Sequence, residues 1–215
     1  IANGVDTDIF RPRTDIARKP FQLITTASSD QPLKGLSVLL QALHQLKNDY
    51  PQITLTVIGK LNPSGNTEKE LQSLQLAEKV NFVSELSREE IVALYAEATM
   101  AIVPSRYEGF GLPALEAMAC GTPLICSDGG ALPEVVGKAA LLVPAGDVNA
   151  LKLTMEKFLT DENLRQHYAE AGLQHANQHY RWEVIAGQLA DYYYQLLQPE
   201  QLHATLPTAA SHVNH

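Results

Sequence analysis

Short apolar runs alternate with stretches in which apolar residues recur every three or four positions, and this alternation organises the first two thirds of the chain. The runs fall at Phe21 to Ala27, Ile53 to Gly59, Val80 to Ser84, Met100 to Pro104, Leu124 to Ser127 and Ala140 to Val143. Each is rich in Ile, Val, Leu or Thr and bounded by turn residues, so six buried strands are predicted. Between them Leu36, Leu39, Leu40, Leu43 and Leu46 repeat at helical spacing, and Ser87-Arg88-Glu89-Glu90 is a capping box opening a helix through Ala98.

Apolar strands separated by such helices predict a doubly wound α/β fold: a parallel sheet of about six strands, covered on both faces and joined by right-handed crossovers. Ligands of such sheets sit beyond the carboxyl ends of the strands. The loops that matter are therefore Ser28 to Lys34, Lys60 to Asn66, Glu85 to Ser87, Ser105 to Leu112 and Asp128 to Pro133. After Asp147 the pattern is helical only, near Val148 to Leu159, Glu162 to Gln178 and Trp182 to Leu197. These helices are expected to cover one edge or face of the sheet, and residues 199–215, lacking periodicity, to form a disordered tail.

The 215 residues are enough for one domain with a real core, and no apolar run is long enough to span a membrane. A net charge of −8 argues against a broad nucleic-acid surface, so an anionic ligand would need locally placed donors. Cys120 and Cys126 have neither metal-site spacing nor a disulfide framework, which suggests inert thiols in a reducing, cytoplasmic setting. His175 and His179 share a helical face without a third ligand in view, so no metal is expected. The chain opens on Ile1 rather than Met, as a piece of a longer protein would.

The densest chemistry lies in Ser105-Arg-Tyr-Glu-Gly-Phe-Gly-Leu-Pro-Ala-Leu-Glu-Ala-Met-Ala-Cys-Gly121. Gly109 and Gly111 permit close approach of backbone to ligand, and Pro113 fits the first position of a helix. Free amides and the dipole at that helix start favour an anion, here a diphosphate. Glu116, expected in the first turn, can accept hydroxyls beside the phosphates, and Glu108 stands before the turn on the far side. Lys34, at the mouth of the helix after the first strand, can neutralise phosphate as a point charge.

Two simpler accounts compete. The glycines can serve only a turn and Leu112, Leu115 and Met118 only the core, with the acids improving helix electrostatics. Alternatively Gly109-Phe-Gly111-Leu-Pro-Ala114, with Asp128 ending the next strand, matches the G-x-G-x-x-A fingerprint of NAD(P)-dependent oxidoreductases. Against the latter, Arg106-Tyr107-Glu108 separates strand from first glycine, and the unit is the fourth rather than the first.

The segment from Ser105 to Gly121, with Cys126-Ser-Asp-Gly-Gly-Ala-Leu-Pro-Glu134 after it, resembles the C-terminal, donor-binding domain of retaining glycosyltransferases of the GT-B fold, family four. The likeness extends to Ile1-Ala-Asn-Gly-Val-Asp6 through Phe10, Lys34-Gly35, Val57-Ile-Gly59 and Val80-Asn-Phe-Val83. It implies a nucleotide-sugar donor, with Glu108 beside the sugar as the catalytic glutamate and Glu116 on the ribose. Amides of Phe110, Gly111 and Leu112 would contact sugar and phosphate, Lys34 the diphosphate, and Glu85-Leu86 the base; Gly109, Gly59 and Lys60 complete the set.

In that family an arginine usually precedes the lysine by five residues, and here Ser29 occupies its place. Lys60 or Arg106 is the candidate replacement for the lost charge. The resemblance further implies an interdomain entry over residues 1–20, a nucleotide-sugar-binding domain over 21–198, and an acceptor-binding N-terminal domain upstream as partner. Any membrane contact, at the inner face, is expected to run through that missing half. A non-catalytic nucleotide-binding or interaction module is the remaining alternative.

Overall fold

The computed structural model describes residues 2–197, so the predicted tail lies outside the described residues. Six strands form one sheet: β1 (Gln22–Thr26), β2 (Thr54–Ile58), β3 (Val80–Val83), β4 (Met100–Val103), β5 (Leu124–Ser127) and β6 (Leu141–Val143). Each lies within its predicted run. All pairs are parallel and the order is β3-β2-β1-β4-β5-β6, so the winding reverses between β1 and β4, where Ile24 pairs with Ala101.

Two apolar layers cover the sheet. On one face α1 (Leu36–Leu46) buries its leucine stripe with Leu71 of α2 (Asn66–Ser73) and Leu151, Met155 and Phe158 of α6 (Val148–Thr160). On the other, α3 (Arg88–Glu97), α4 (Leu112–Ala119) and α5 (Leu132–Val136) bury Val92, Tyr95, Leu115, Met118, Leu132 and Val136, joined by Ala176 of α7 (Glu162–His179). The capping box on α3 forms as expected, the Ser87 hydroxyl accepting from the Glu90 amide and Glu90 accepting from the Ser87 amide.

Three expectations need correction. The late helices do not share one edge or face: α6 packs on α1, whereas α7 crosses to α4. Helix α2 was not expected, because NTEKELQS buries only Thr67 and Leu71 and has no apolar stripe to read. Helix α5 begins inside the loop expected from Asp128 to Pro133, and its five residues behind Gly129 and Gly130 are too few to show a helical stripe.

The entry segment is tied to this domain. Val5 and Phe10 are buried, the Val5 amide donates to the Tyr180 carbonyl at 2.7 Å, and Arg18 donates to the Ala98 and Gly121 carbonyls, capping α3 and α4 at their C-terminal ends. Helix α8 (Trp182–Leu197) buries Ile185 and leaves Trp182, Leu189, Tyr192, Tyr193 and Leu196 exposed. Among the described residues no helix is long and apolar enough to cross a membrane.

Candidate functional site

Loops leaving β1 and β4 depart toward opposite faces and open a crevice at the switch point. The first descends through a 3-10 turn (Pro32–Lys34) into Gly35, whose φ of 68° and closeness to Pro104 both require glycine: an added Cβ would lie 1.9 Å from the Pro104 carbonyl oxygen. The two loops are then stitched together by the Arg106 amide donating to the Leu33 carbonyl at 2.8 Å. This brings Lys34 onto Glu108, with Nζ 2.9 Å from Oε2 and 3.1 Å from Oε1. The Ser105 hydroxyl also donates to Glu108 Oε2, at 3.0 Å.

The loop after β5 buttresses this arrangement from below. Ala131 donates its amide to the Glu108 carbonyl at 2.9 Å, and Ser127 donates its hydroxyl to the Ser105 carbonyl. A Cβ on Gly129 would come within 2.3 Å of the Ser105 carbonyl oxygen, and one on Gly130 within 2.3 Å of that of Glu108. The sequence marks these two glycines as part of a loop and of the motif that carries the family resemblance; their fit against a loop 20-odd residues earlier in the chain is a tertiary matter that no local pattern encodes.

Helix α4 starts at Leu112, with Gly111 as its N-cap (φ 104°) and Pro113 in the second rather than the first position. Consequently Glu116 lies in the second turn, not the first. Among the described residues the amides of Phe110, Gly111 and Leu112 find no acceptor. Gly109 has nothing within 4 Å of where its Cβ would stand, whereas a Cβ on Gly111 would meet Leu132 Cδ2 at 2.8 Å. Gly111 is thus required by the fold, and Gly109 is open toward the crevice.

Glu116 makes no hydrogen bond or ion pair among the described residues, and burial pushes its carboxyl up to about 7, with Arg88 the opposing positive charge. Tyr95, buried beside it, places its hydroxyl 3.3 Å from both Thr26 Oγ1 and the Pro113 carbonyl, tying the end of β1 to the first turn of α4. Desolvation raises the Tyr95 phenol further above its usual range. Arg88 and Tyr95 were not among the predicted site residues. The capping box at Ser87 was the available signal, since it sets Arg88 at the first position of α3.

Other predicted positions fall as follows. Ser29 is only 5% exposed, its hydroxyl donating to the Lys60 carbonyl at 2.9 Å and accepting from the Asn62 amide at 3.0 Å, so it staples two loops together. Lys60 is exposed and presents its carbonyl to Ser29; Gly59 lets the same loops touch, a Cβ there coming 2.1 Å from the Ala27 carbonyl oxygen. Arg106 lies against Gly146, its Cζ 3.6 Å from that residue's Cβ position, on the α1 and α6 side. Glu85 holds a left-handed φ of 60° on an exposed loop, with Leu86 half-buried behind it. Phe110 packs edge-on against Tyr180.

Asp128, the acid of the dinucleotide alternative, accepts the Ala145 amide at 2.7 Å and is committed to the loop after β6. Cys120 and Cys126 are buried free thiols, Cys120 pushed up to about 12 mainly by burial. His175 meets the Val135 carbonyl at 2.9 Å, and no group of three metal-ligating side chains gathers among the described residues. A cavity of about 410 Å³ between the entry segment and α7 lies at the opposite end of the sheet; its arginines are already bonded, Arg13 to Asp15, Arg18 as above and Arg165 to the Phe158 carbonyl.

A doubly wound parallel sheet with helices on both faces is the Rossmann-like architecture of one half of a GT-B fold, and comparison with known proteins agrees. Residues 6–175 match the family Glycosyl transferases group 1, and the chain belongs to that family. It is 41% identical over 193 residues to the MMP alpha-(1->4)-mannosyltransferase of Mycolicibacterium hassiacum, covering 88% of this chain and 46% of that protein. Sucrose-phosphate synthase of Thermosynechococcus elongatus superposes with a TM-score of 0.79 at 31% identity, over 92% of this chain and 52% of that one. The C-terminal domain of a glycosyl transferase group 1 family protein from Francisella tularensis superposes with a TM-score of 0.71 at 26% identity, over 83% of this chain and 100% of that one. The chain spans about half the length of the curated relatives it matches.

Proposed function

We propose that this chain is the donor-binding half of a retaining glycosyltransferase that moves a sugar from a nucleoside diphosphate sugar to an acceptor. The observation that carries the proposal is the pairing of two differently held glutamates around unpaired amides: Glu108 gripped at the crevice and Glu116 left without a partner beyond the start of α4. Glu116 accepts the ribose hydroxyls, the amides of Phe110, Gly111 and Leu112 and the Lys34 ammonium take the diphosphate, and Glu108 orients the sugar. Gly109, with open space where its Cβ would be, lets the ligand approach the backbone.

Chemically, the diphosphate leaves with growing negative charge, which the α4 dipole meets at the helix start and Lys34 meets by swinging from Glu108. No covalent step on the protein is needed for this stabilisation. The relatives are named for transfer of sugars to different acceptors, which supports the reaction class and leaves the particular sugar and base to the residues around Glu108 and Glu85. Acceptor binding is assigned to the remainder of a longer protein, against which the exposed apolar residues of α8 offer a packing surface. The buried free thiols support a cytoplasmic setting.

Calorimetric titration with UDP, GDP, ADP, NAD and NADP tests the class. Binding of a nucleoside diphosphate in preference to both dinucleotides is expected; preference for a dinucleotide would overturn the proposal, and binding of none would leave an interaction module.

A further inference from the structure

Glu108 has two holders of different character. Lys34 reaches it on a flexible four-carbon stem, and its side chain is a third exposed. Ser105 is 2% exposed and fixed from below, its carbonyl bonded by the Ser127 hydroxyl and pressed by Gly129. An ammonium is drawn to the stronger and more concentrated charge, so a diphosphate arriving at the unpaired amides competes with a single carboxylate for Lys34. A buried neutral hydroxyl feels no such pull.

Resting on the donor-binding assignment above, we propose that Ser105 is the positioning residue for Glu108: its hydroxyl keeps the carboxylate aimed at the donor sugar when the diphosphate draws Lys34 away. Ser105 itself touches neither sugar nor phosphate. In the free protein the carboxylate is held twice; in the donor complex the serine holds it alone, and the sugar hydroxyls complete its acceptor capacity. The bond matters because the Glu108 side chain is only 12% exposed, so a loosened carboxylate has little water to turn to.

The test separates aim from loop integrity. A loop that merely collapses would weaken the bare nucleoside diphosphate and its sugar conjugate together, because the same loop supplies the phosphate-binding amides. Loss of aim removes only what the sugar adds. Titrations of Ser105→Ala, Ser105→Thr and Ser127→Ala with UDP, GDP and their glucose or mannose conjugates are compared with the parent chain, after thermal melts establish that each variant is folded.

Ser105→Ala is expected to reduce the preference for sugar conjugate over bare nucleotide about tenfold, the loss of one hydrogen bond to a charged group, with nucleotide affinity within about twofold of the parent. Ser105→Thr, which keeps the hydroxyl, should retain the preference. Ser127→Ala should weaken both ligands alike. The assignment is overturned if Ser105→Ala leaves the preference intact or lowers both affinities equally, or if Ser127→Ala shifts the preference as much. Absence of nucleotide binding in the parent chain would remove the donor-binding assignment itself, a separate and recognisable failure.

Discussion

Lys34 and Glu108, 74 residues apart, meet across the crevice where the sheet reverses its winding, Nζ standing 2.9 Å from Oε2. The charge proposed for the diphosphate is thus engaged by the carboxylate proposed for the sugar. Glu108→Gln should therefore free Lys34 and raise affinity for a bare nucleoside diphosphate a few-fold, while abolishing what the sugar adds. Lys34→Ala should do the reverse to the nucleotide, weakening it at least about tenfold, and should cost about 1–2 kcal/mol of stability by leaving Glu108 with Ser105 alone. Paired titrations and thermal melts read both effects.

Glu116 gives the site a pH dependence. Its carboxyl, ordinarily near 4.5, is held at about 7 by burial, so between these values the fold keeps a proton that the unfolded chain releases. Stability contributed at acid pH is lost as pH rises from about 4.5 through 7. Glu116→Gln should be near neutral for stability below pH 4.5 and stabilising above pH 7, by on the order of 2–3 kcal/mol. Binding runs the other way, because ribose hydroxyls prefer the ionised form: nucleotide affinity should rise with pH through 7, and Glu116→Gln should flatten that profile. Denaturant titrations and calorimetry at pH 5, 6, 7 and 8 measure the two trends.

The two glycines of the turn should respond oppositely to a methyl group. Gly111→Ala places a side chain at φ 104° and against Leu132, and is expected to lower stability by about 1–3 kcal/mol. Gly109→Ala meets nothing in the protein and should change stability by less than about 0.5 kcal/mol. Its methyl would instead occupy ligand space, so nucleotide-sugar affinity should fall at least about tenfold by the tight fit expected of a backbone approach. Melting curves and titrations on both variants decide the matter.

Ser29 stands where the family resemblance leads one to expect an arginine, which suggests introducing it. The structure argues against success: the position is nearly closed and its hydroxyl bonds two loops at once. Ser29→Arg should destabilise by more than about 2 kcal/mol and bring no gain in phosphate affinity, while Ser29→Ala should cost about 1 kcal/mol. A gain in nucleotide affinity for Ser29→Arg in a folded chain would show that the loop opens enough to admit a guanidinium.

Much of this was legible in the residue order, for definite reasons. Buried parallel strands are short continuous apolar runs, so all six could be found and their carboxyl-terminal loops watched. Lys34, Glu108 and Glu116 stand out together, because several loops at the carboxyl ends of the strands converge, rather than from any one charge alone. What stayed hidden depends on distant partners. That Arg106 lies beside Gly146, and that Asp128, the acid of the dinucleotide pattern, accepts the Ala145 amide, depends on contacts across the chain that residue order does not encode. Ser105 was simply the start of a loop, and only the fold shows its hydroxyl on Glu108. Helix α7 crossing to α4 likewise depends on which stripe meets which, information that helical spacing does not contain.

The central claim is that one nucleoside diphosphate sugar lies along the start of α4 with its ribose at Glu116 and its sugar at Glu108. Titration of the parent chain, Glu116→Ala and Glu108→Ala with a sugar conjugate and its bare nucleotide tests it most directly. Glu116→Ala is expected to weaken both ligands by a similar factor, and Glu108→Ala to erase the increment due to the sugar while strengthening the bare nucleotide a few-fold through the freed Lys34. Equal affinities for all three proteins, or an increment that survives in Glu108→Ala, would contradict it.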